Sequence, residues 1–308
     1  MNIFYFTSNL FISVAATSII SLMENNKSAD NITFYIIDDE IDDENKAKLT
    51  TMIESYGREV IYILAPDPSE LFEFPFKSRY QIGHSYVRMA IGTLLPNNIN
   101  RVLALDSDTL IVGDLSELWN MDMGENILAG VKDCINLKAY NKQFNLSDKQ
   151  LYCNAGMFLV DLNKWREQKI EEEIKHIIKA CGGNVFFFEQ TLMNYSCREK
   201  VYKLHPKYNC YTLFFAFQYK NLMRWRRPTD FYTKKEIDEA KQNPLIIHFT
   251  RNFYMLSRPW IKTCDHPYTN CYQEYKKLTP WKEPDMDNRT KRQIRKYKVF
   301  HILPQGFV

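Results

Sequence analysis

From residue 2 to residue 105 the chain alternates short apolar runs with longer amphipathic ones, and that order admits few folds. Residues 2–6, 32–37 and 60–64 read as strands, being short and rich in β-branched and aromatic side chains. Residues 11–23 read as a helix with Ser8 or Asn9 near its N-cap, and residues 43–56 as a second whose acidic first turn suits the helix dipole. After a Pro-rich loop, a helix over 81–94 leads into a fourth strand that ends at Leu105. Parallel strands need crossovers, and helices packed on both faces bury them. The expected class is α/β, with a Rossmann-like, mostly parallel sheet flanked by helices.

The fourth strand carries the chemistry. In Arg101-Val102-Leu103-Ala104-Leu105-Asp106-Ser107-Asp108-Thr109-Leu110 an apolar strand stops abruptly at two carboxylates two residues apart. Side chains at i and i+2 of extended backbone point the same way, so Asp106 and Asp108 can converge on one hard cation. Such a cation suits a diphosphate, and ligands of open α/β sheets sit beyond the carboxyl ends of the strands. The motif alone is weak, since ordinary composition yields about one Asp-x-Asp triplet by chance in a chain of this size. Asp285-Met286-Asp287 is such a triplet, in a polar, Pro-flanked tail with no strand before it, and reads as solvated surface. The preceding strand is what separates the two, and it points to a nucleotide diphosphate.

Composition excludes other classes. A net charge of +3 over 308 residues does not describe a nucleic-acid binder. The 7 cysteines are scattered with no Cys-x-x-Cys pair, which argues against a disulfide framework or a zinc site and for reduced thiols. Residues 1–20 are apolar but lack a basic region, and Thr7-Ser8-Asn9 interrupts them, so they read as strand, turn and helix rather than leader or anchor. A cytoplasmic protein is expected.

Further along, residues 127–131 and 155–160 read as strands, and Asn163 as the cap of a long helix over 164–180 stopped by Gly182-Gly183. A helix over 189–196 and short strands over 201–204 and 245–249 follow. The expected division is a catalytic domain over 1–265 and a helical, basic extension over 266–308. In that tail Arg289, Lys291, Arg292, Arg295, Lys296 and Lys298 crowd together, beside Tyr297, Phe300 and Leu303. Clustered bases near aromatic side chains raise peripheral contact with an anionic membrane surface, against the plainer reading of a solvated or docked tail.

Taken together, the Asp-Ser-Asp strand end, the stretch Tyr152-Cys153-Asn154-Ala155-Gly156-Met157-Phe158-Leu159-Val160-Asp161-Leu162-Asn163-Lys164-Trp165 and the pair Glu189-Gln190 resemble glycosyltransferase family 8. That family includes glycogenin and bacterial lipopolysaccharide galactosyl- and glucosyltransferases. The similarity runs in order from the first residue to about Trp281, and the Asn-Ala-Gly block is its most specific part. The resemblance implies a GT-A fold, a UDP-sugar donor, a Mn2+ or Mg2+ ion, a glycan acceptor (lipid-linked, capsular or on a glycoprotein) and transfer of a hexose with retention.

It also implies roles. His248, ending the apolar run 245–249, matches the family's third metal ligand beside Asp106 and Asp108; read alone, it serves equally as a hydrogen-bonded structural histidine. One imidazole beside two carboxylates shifts preference toward Mn2+. Asp133, Arg88, Asn154 and Ala155 match sugar-contacting positions, Ser107 a donor contact, and Glu189 and Gln190 positions beside the anomeric carbon. Retention by a carboxylate nucleophile and retention by front-face attack both stay open, and Glu189 is the only carboxylate nominated near the reacting carbon.

Two departures stand out. In the nucleotide turn, where Thr7 is also matched to donor binding, Ser8 stands where the family often carries an Asp that reads uracil, and Phe11 in place of a stacking Tyr. The phosphate loop after His248 is longer than usual and lacks its glycine, with Arg258 in place of the lysine. Two rival readings compete with this one. Asp106-Ser107-Asp108-Thr109-Leu110 also satisfies a haloacid dehalogenase-like phosphatase motif with Asp106 as nucleophile, but three strands precede it here and no later acidic strand end completes it. The departures raise a non-catalytic sugar-nucleotide-binding relative, which the retained Asp106, Asp108, His248, Asn154 and Gln190 oppose.

Overall fold

A computed structural model describes residues 1–76, 84–140, 150–251, 258–261 and 264–283. Along the chain the strands are β1 (Asn2–Ser8), β2 (Thr33–Asp39), β3 (Glu59–Leu64), β4 (Arg101–Leu105), β5 (Thr109–Ile111), β6 (Leu128–Lys132), β7 (Cys153–Asp161), β8 (Val201–Lys203), β9 (Cys210–Tyr211) and β10 (Ile246–His248). Seven of them form one sheet in the order β3-β2-β1-β4-β7-β6-β8, and β5-β10-β9 form a second, small one.

Both faces of the large sheet are covered, which is why its strands read as continuous apolar runs. Successive residues alternate between two cores. Ile3, Tyr5, Ile36, Leu103 and Leu159 pack toward the helix Ile12–Asn25. Phe4, Tyr35, Ile37, Ala104 and Phe158 pack toward Trp165 and Ile174 on the opposite side. Burying each larger side chain contributes about 1.5–3 kcal/mol.

The expected parallel order holds for β3, β2, β1 and β4. In β7 the direction reverses: it runs antiparallel to both β4 and β6, with Leu105 opposite Met157. The start of β7 therefore lies beside the end of β4, and the Asp106 N–H donates to the Gly156 carbonyl at 2.9 Å. The reversal brings Asn154-Ala155-Gly156 to Asp106. In the small sheet His248 pairs opposite Thr109, and the Phe249 N–H donates to the Asp108 carbonyl at 2.9 Å.

Two expected helices are each divided. The span 81–94 yields His84–Val87 and Ile91–Leu94, with Arg88 in the turn between them and residues 81–83 outside the described set. The second piece starts afresh because a Glu171 Oε1 accepts from the Gly92 N–H at 2.6 Å and the Thr93 N–H at 3.1 Å. The span 164–180 is Leu162–Glu167 and Ile170–Ala180, broken at Lys169 with φ of 52°. The break resets the register, so that Trp165 and Ile170, five positions apart, face one core. Asp161, rather than Asn163, caps the first piece by accepting from the Lys164 N–H. Gly182 and Gly183 end the second at positive φ, as expected.

The helix Thr269–Lys276 packs on the first helix, where Asn25 Nδ2 donates to the Tyr275 hydroxyl at 2.7 Å. Beside it His266 is buried, and its Nδ1 accepts from the Tyr268 N–H at 3.2 Å. Protonation would break that bond, and burial pushes the imidazole down to about 4 from 6.5. The unfolded chain thus takes up a proton before the folded one does, so stability falls as pH drops from about 6.5 toward 4. At about 1.4 kcal/mol per unit, denaturant melts at pH 5 should show a loss of about 2 kcal/mol relative to pH 7 that His266→Phe removes. Equal acid sensitivity in that variant would contradict the assignment. The basic tail beyond residue 283 lies outside the described residues, and no helix among them is long and apolar enough to cross a membrane.

Candidate active site

The two sheets meet where β4 ends. His248 Nε2 lies 3.5 Å from Asp106 Oδ2 and 3.3 Å from Asp108 Oδ1. One atom from each residue falls within 4.8 Å of the others, a cation-sized cluster. Burial alone would lower the His248 pKa, but Asp108 and Asp106 outweigh it and hold the imidazole up at about 9. Burial likewise works to raise Asp106, and Arg88 and His248 outweigh it, leaving the carboxyl at about 2. The imidazole thus stands between the two carboxylates. Two anionic oxygens and an imidazole that gives up its proton fit a divalent cation well.

Arg88 ion-pairs with Asp106 and lies over the Phe158 ring, 5.3 Å from its centroid. It is buried, and its Nε and Nη2 have no hydrogen-bond partner among the described residues. Two unsatisfied guanidinium donors at a site are an energetic cost that oxygens of a ligand would offset.

A chain of amides leads away from the cluster. Asn154 Nδ2 donates to Gln190 Oε1 at 3.3 Å, the Ala155 N–H donates to the same oxygen at 3.1 Å, and Gln190 Nε2 donates to Asp133 Oδ2 at 2.8 Å. Asp133 and the Asn-Ala pair are thus tied to one glutamine. At Gly156 a Cβ would lie 2.0 Å from His248 Cε1, so only glycine lets the ring reach the aspartates. Glu189 stands in the first turn of the helix Phe188–Ser196, entered through Phe187 and Phe188 at φ of 53° and 49°. Backbone held in that left-handed region is costly, and it occurs directly before the Glu-Gln pair. Burial pushes the Glu189 carboxyl up, with Arg88 acting against it.

The nucleotide-turn residues share this edge, because β1 lies parallel beside β4 with Tyr5 opposite Leu105. Thr7 is buried, Ser8 ends the strand, and Phe11 is 41% exposed. Ser107 Oγ donates to the Phe6 carbonyl at 3.3 Å, which ties the Asp-Ser-Asp turn to β1. Arg258 lies 5.2 Å over the Trp260 ring, its pKa lowered by burial and raised by Asp108. The longer loop over 252–257 is outside the described residues.

One site residue escaped the sequence reading. Asn209, fully buried, meets His248 Nδ1 through its Oδ1 at 3.1 Å and donates from Nδ2 to Asn154 Oδ1 at 3.0 Å. An asparagine between a short turn and a two-residue strand carries no periodic signal, and its contacts exist only once β9 pairs with β10.

The chain is 26% identical over 265 residues to general stress protein A of Bacillus subtilis, covering 85% of this chain and 88% of that protein. It is 27% identical over 314 residues to a lipopolysaccharide 1,2-glucosyltransferase of Escherichia coli K12, covering 99% and 86%. Among solved structures, the galactosyltransferase LgtC in complex with donor and acceptor sugar analogues superposes with a TM-score of 0.73 at 20% identity, covering 96% of this chain and 100% of that one. The shared architecture is the GT-A fold. The model of glycosyl transferase family 8 matches residues 2–264, a span that contains Asp106, Asp108, His248 and the whole amide chain; the protein belongs to that family.

Proposed function

We propose that this glycosyltransferase is a metal-dependent, retaining enzyme that moves glucose or galactose from a UDP-sugar to a glycan acceptor. The observation that carries the reading is the convergence of Asp106, Asp108 and His248 beside the Arg88, Asp133, Asn154 and Gln190 cluster. Relatives named as lipopolysaccharide glucosyl- and galactosyltransferases support the hexose and the glycan acceptor.

Asp106, Asp108 and His248 would hold a divalent ion, for which the imidazole favours Mn2+ over Mg2+, and that ion would supply positive charge to the donor diphosphate. Arg258 adds a bidentate positive group on the phosphate side. Thr7, Ser8 and Phe11 are assigned to the base and ribose, with Ser107 holding the turn. Arg88, Asp133, Asn154 and Ala155 are assigned to the sugar, where a few fixed polar groups set orientation. Glu189 is assigned to the reacting carbon, where a carboxylate supports developing positive charge, and Gln190 holds Asp133 and Asn154 in place.

Gln190→Ala should therefore lower turnover by roughly a hundredfold, the scale of a displaced catalytic group, while UDP affinity changes little. A loss of UDP affinity as large as the loss of turnover would move Gln190 to the nucleotide side. The function itself is tested by UDP release from a panel of UDP-sugars with Mn2+. One UDP-hexose should be hydrolysed and EDTA should stop it; no hydrolysis of any donor, or cleavage of a generic phosphomonoester instead, would refute the reading.

The six clustered bases of the tail support peripheral association with an anionic cytoplasmic membrane face, at about 1 kcal/mol per base near the surface. Full-length protein should sediment with anionic vesicles at low salt, and protein truncated after residue 283 should not. Equal sedimentation would remove the membrane from the proposal.

A further inference from the structure

We propose that Asn209 is a positioning residue that locks His248 as the Nδ1–H tautomer, presenting Nε2 to the cation and joining the cation site to the sugar pocket. The inference rests on the metal reading above. Asn154 and Gln190 each have their orientation fixed by a backbone group that can only donate. The Gly156 N–H meets Asn154 at 3.0 Å, so the atom it meets is oxygen. The Ala155 N–H likewise fixes the Gln190 oxygen. Asn154 must then turn its nitrogen to Gln190, and Gln190 its nitrogen to the Asp133 carboxylate, as observed.

The same oxygen of Asn154 is what Asn209 faces, so Asn209 must donate there with Nδ2. Its Oδ1 is left for His248, and an oxygen acceptor requires a proton on Nδ1. With Nδ1 committed, only Nε2 can offer a lone pair toward Asp106 and Asp108. Reversing any one amide would set oxygen against oxygen. Asn209 is fully buried, its backbone is pinned by its N–H on the Pro206 carbonyl at 3.1 Å, and both ends of its side-chain amide are engaged. An outer residue that orients a metal-binding histidine typically contributes 10–100-fold in metal affinity.

The test is Mn2+ titration followed by the electron paramagnetic resonance signal of the free ion, on wild type, Asp108→Asn, Asn209→Leu and Asn209→Asp, each checked for an intact melting transition. Asp108→Asn should lose binding, which establishes the site. Asn209→Leu should bind at least tenfold more weakly, whereas Asn209→Asp, which still accepts from Nδ1–H, should retain more affinity than Asn209→Leu and lose turnover through its broken contact with Asn154. In wild type loaded with one equivalent of diamagnetic Zn2+, the long-range 1H–15N spectrum, assigned with His248→Gln, should show the proton on Nδ1 whatever the variants do. Asn209→Leu binding like wild type, both Asn209 variants losing equally, or a proton on Nε2 would overturn the proposal. No Mn2+ binding by wild type would overturn both this proposal and the functional reading beneath it.

Discussion

Asp108→Asn should abolish metal-dependent turnover, by roughly a thousandfold or more, with the melting transition nearly unchanged. The side chain stands just past the end of β4, its backbone carbonyl is held by Phe249, and it packs no core. Losing the charge removes half of the anionic pair that binds the cation, and several kcal/mol of transition-state stabilisation go with it, at about 1.4 kcal/mol per tenfold. Asp106→Asn should be equally inactive but less stable, because Arg88 is buried and would lose its counter-charge. Steady-state UDP release with added Mn2+, together with thermal melts, reads both effects. Near wild-type turnover in either variant would remove that carboxylate from the site.

Gly156→Ala should be as informative for a quite different reason. No charge or hydrogen bond is deleted, yet the added methyl would sit 2.0 Å from His248 Cε1 and 2.2 Å from Nδ1. Strand β7 cannot retreat, because the Gly156 carbonyl accepts from Asp106 and its N–H donates to Asn154. The imidazole must move by more than an ångström, which breaks its contact with Asn209 and carries Nε2 away from the carboxylates. A displacement of that size costs about a hundredfold in rate. Mn2+ affinity should fall with turnover while the protein stays folded. Retained metal affinity in a folded Gly156→Ala protein would mean that the ring does not rest where this account has it.

These two cases show what a linear reading could and could not reach. Asp106 and Asp108 were legible because their chemistry is local: a strand supplies the direction and two residues supply the charge. The β-α-β order and the two-sided apolar strands were legible for the same reason. The direction of β7 was not, since antiparallel pairing with β4 depends on how the chain returns rather than on its own composition. The divided helices were missed because their cause is distant: Glu171 starts a new helix at Gly92, and core packing of Trp165 with Ile170 forces the break at Lys169. Asn209 was missed because a single buried amide has meaning only through its partners. Resemblance to the family supplied what local physics left open for His248, and the 3.3–3.5 Å approach to both aspartates fits the metal-ligand reading.

Asp106, Asp108 and His248 are proposed to hold one divalent ion against the donor diphosphate. Crystals grown with Mn2+ and UDP, measured at a wavelength where manganese scatters anomalously, test this most directly. A single strong anomalous peak is expected at coordination distance from all three side chains, in contact with the UDP phosphates, and it should be lost in Asp108→Asn. A well-ordered UDP with no manganese beside it, or manganese bound away from these three residues, would contradict it.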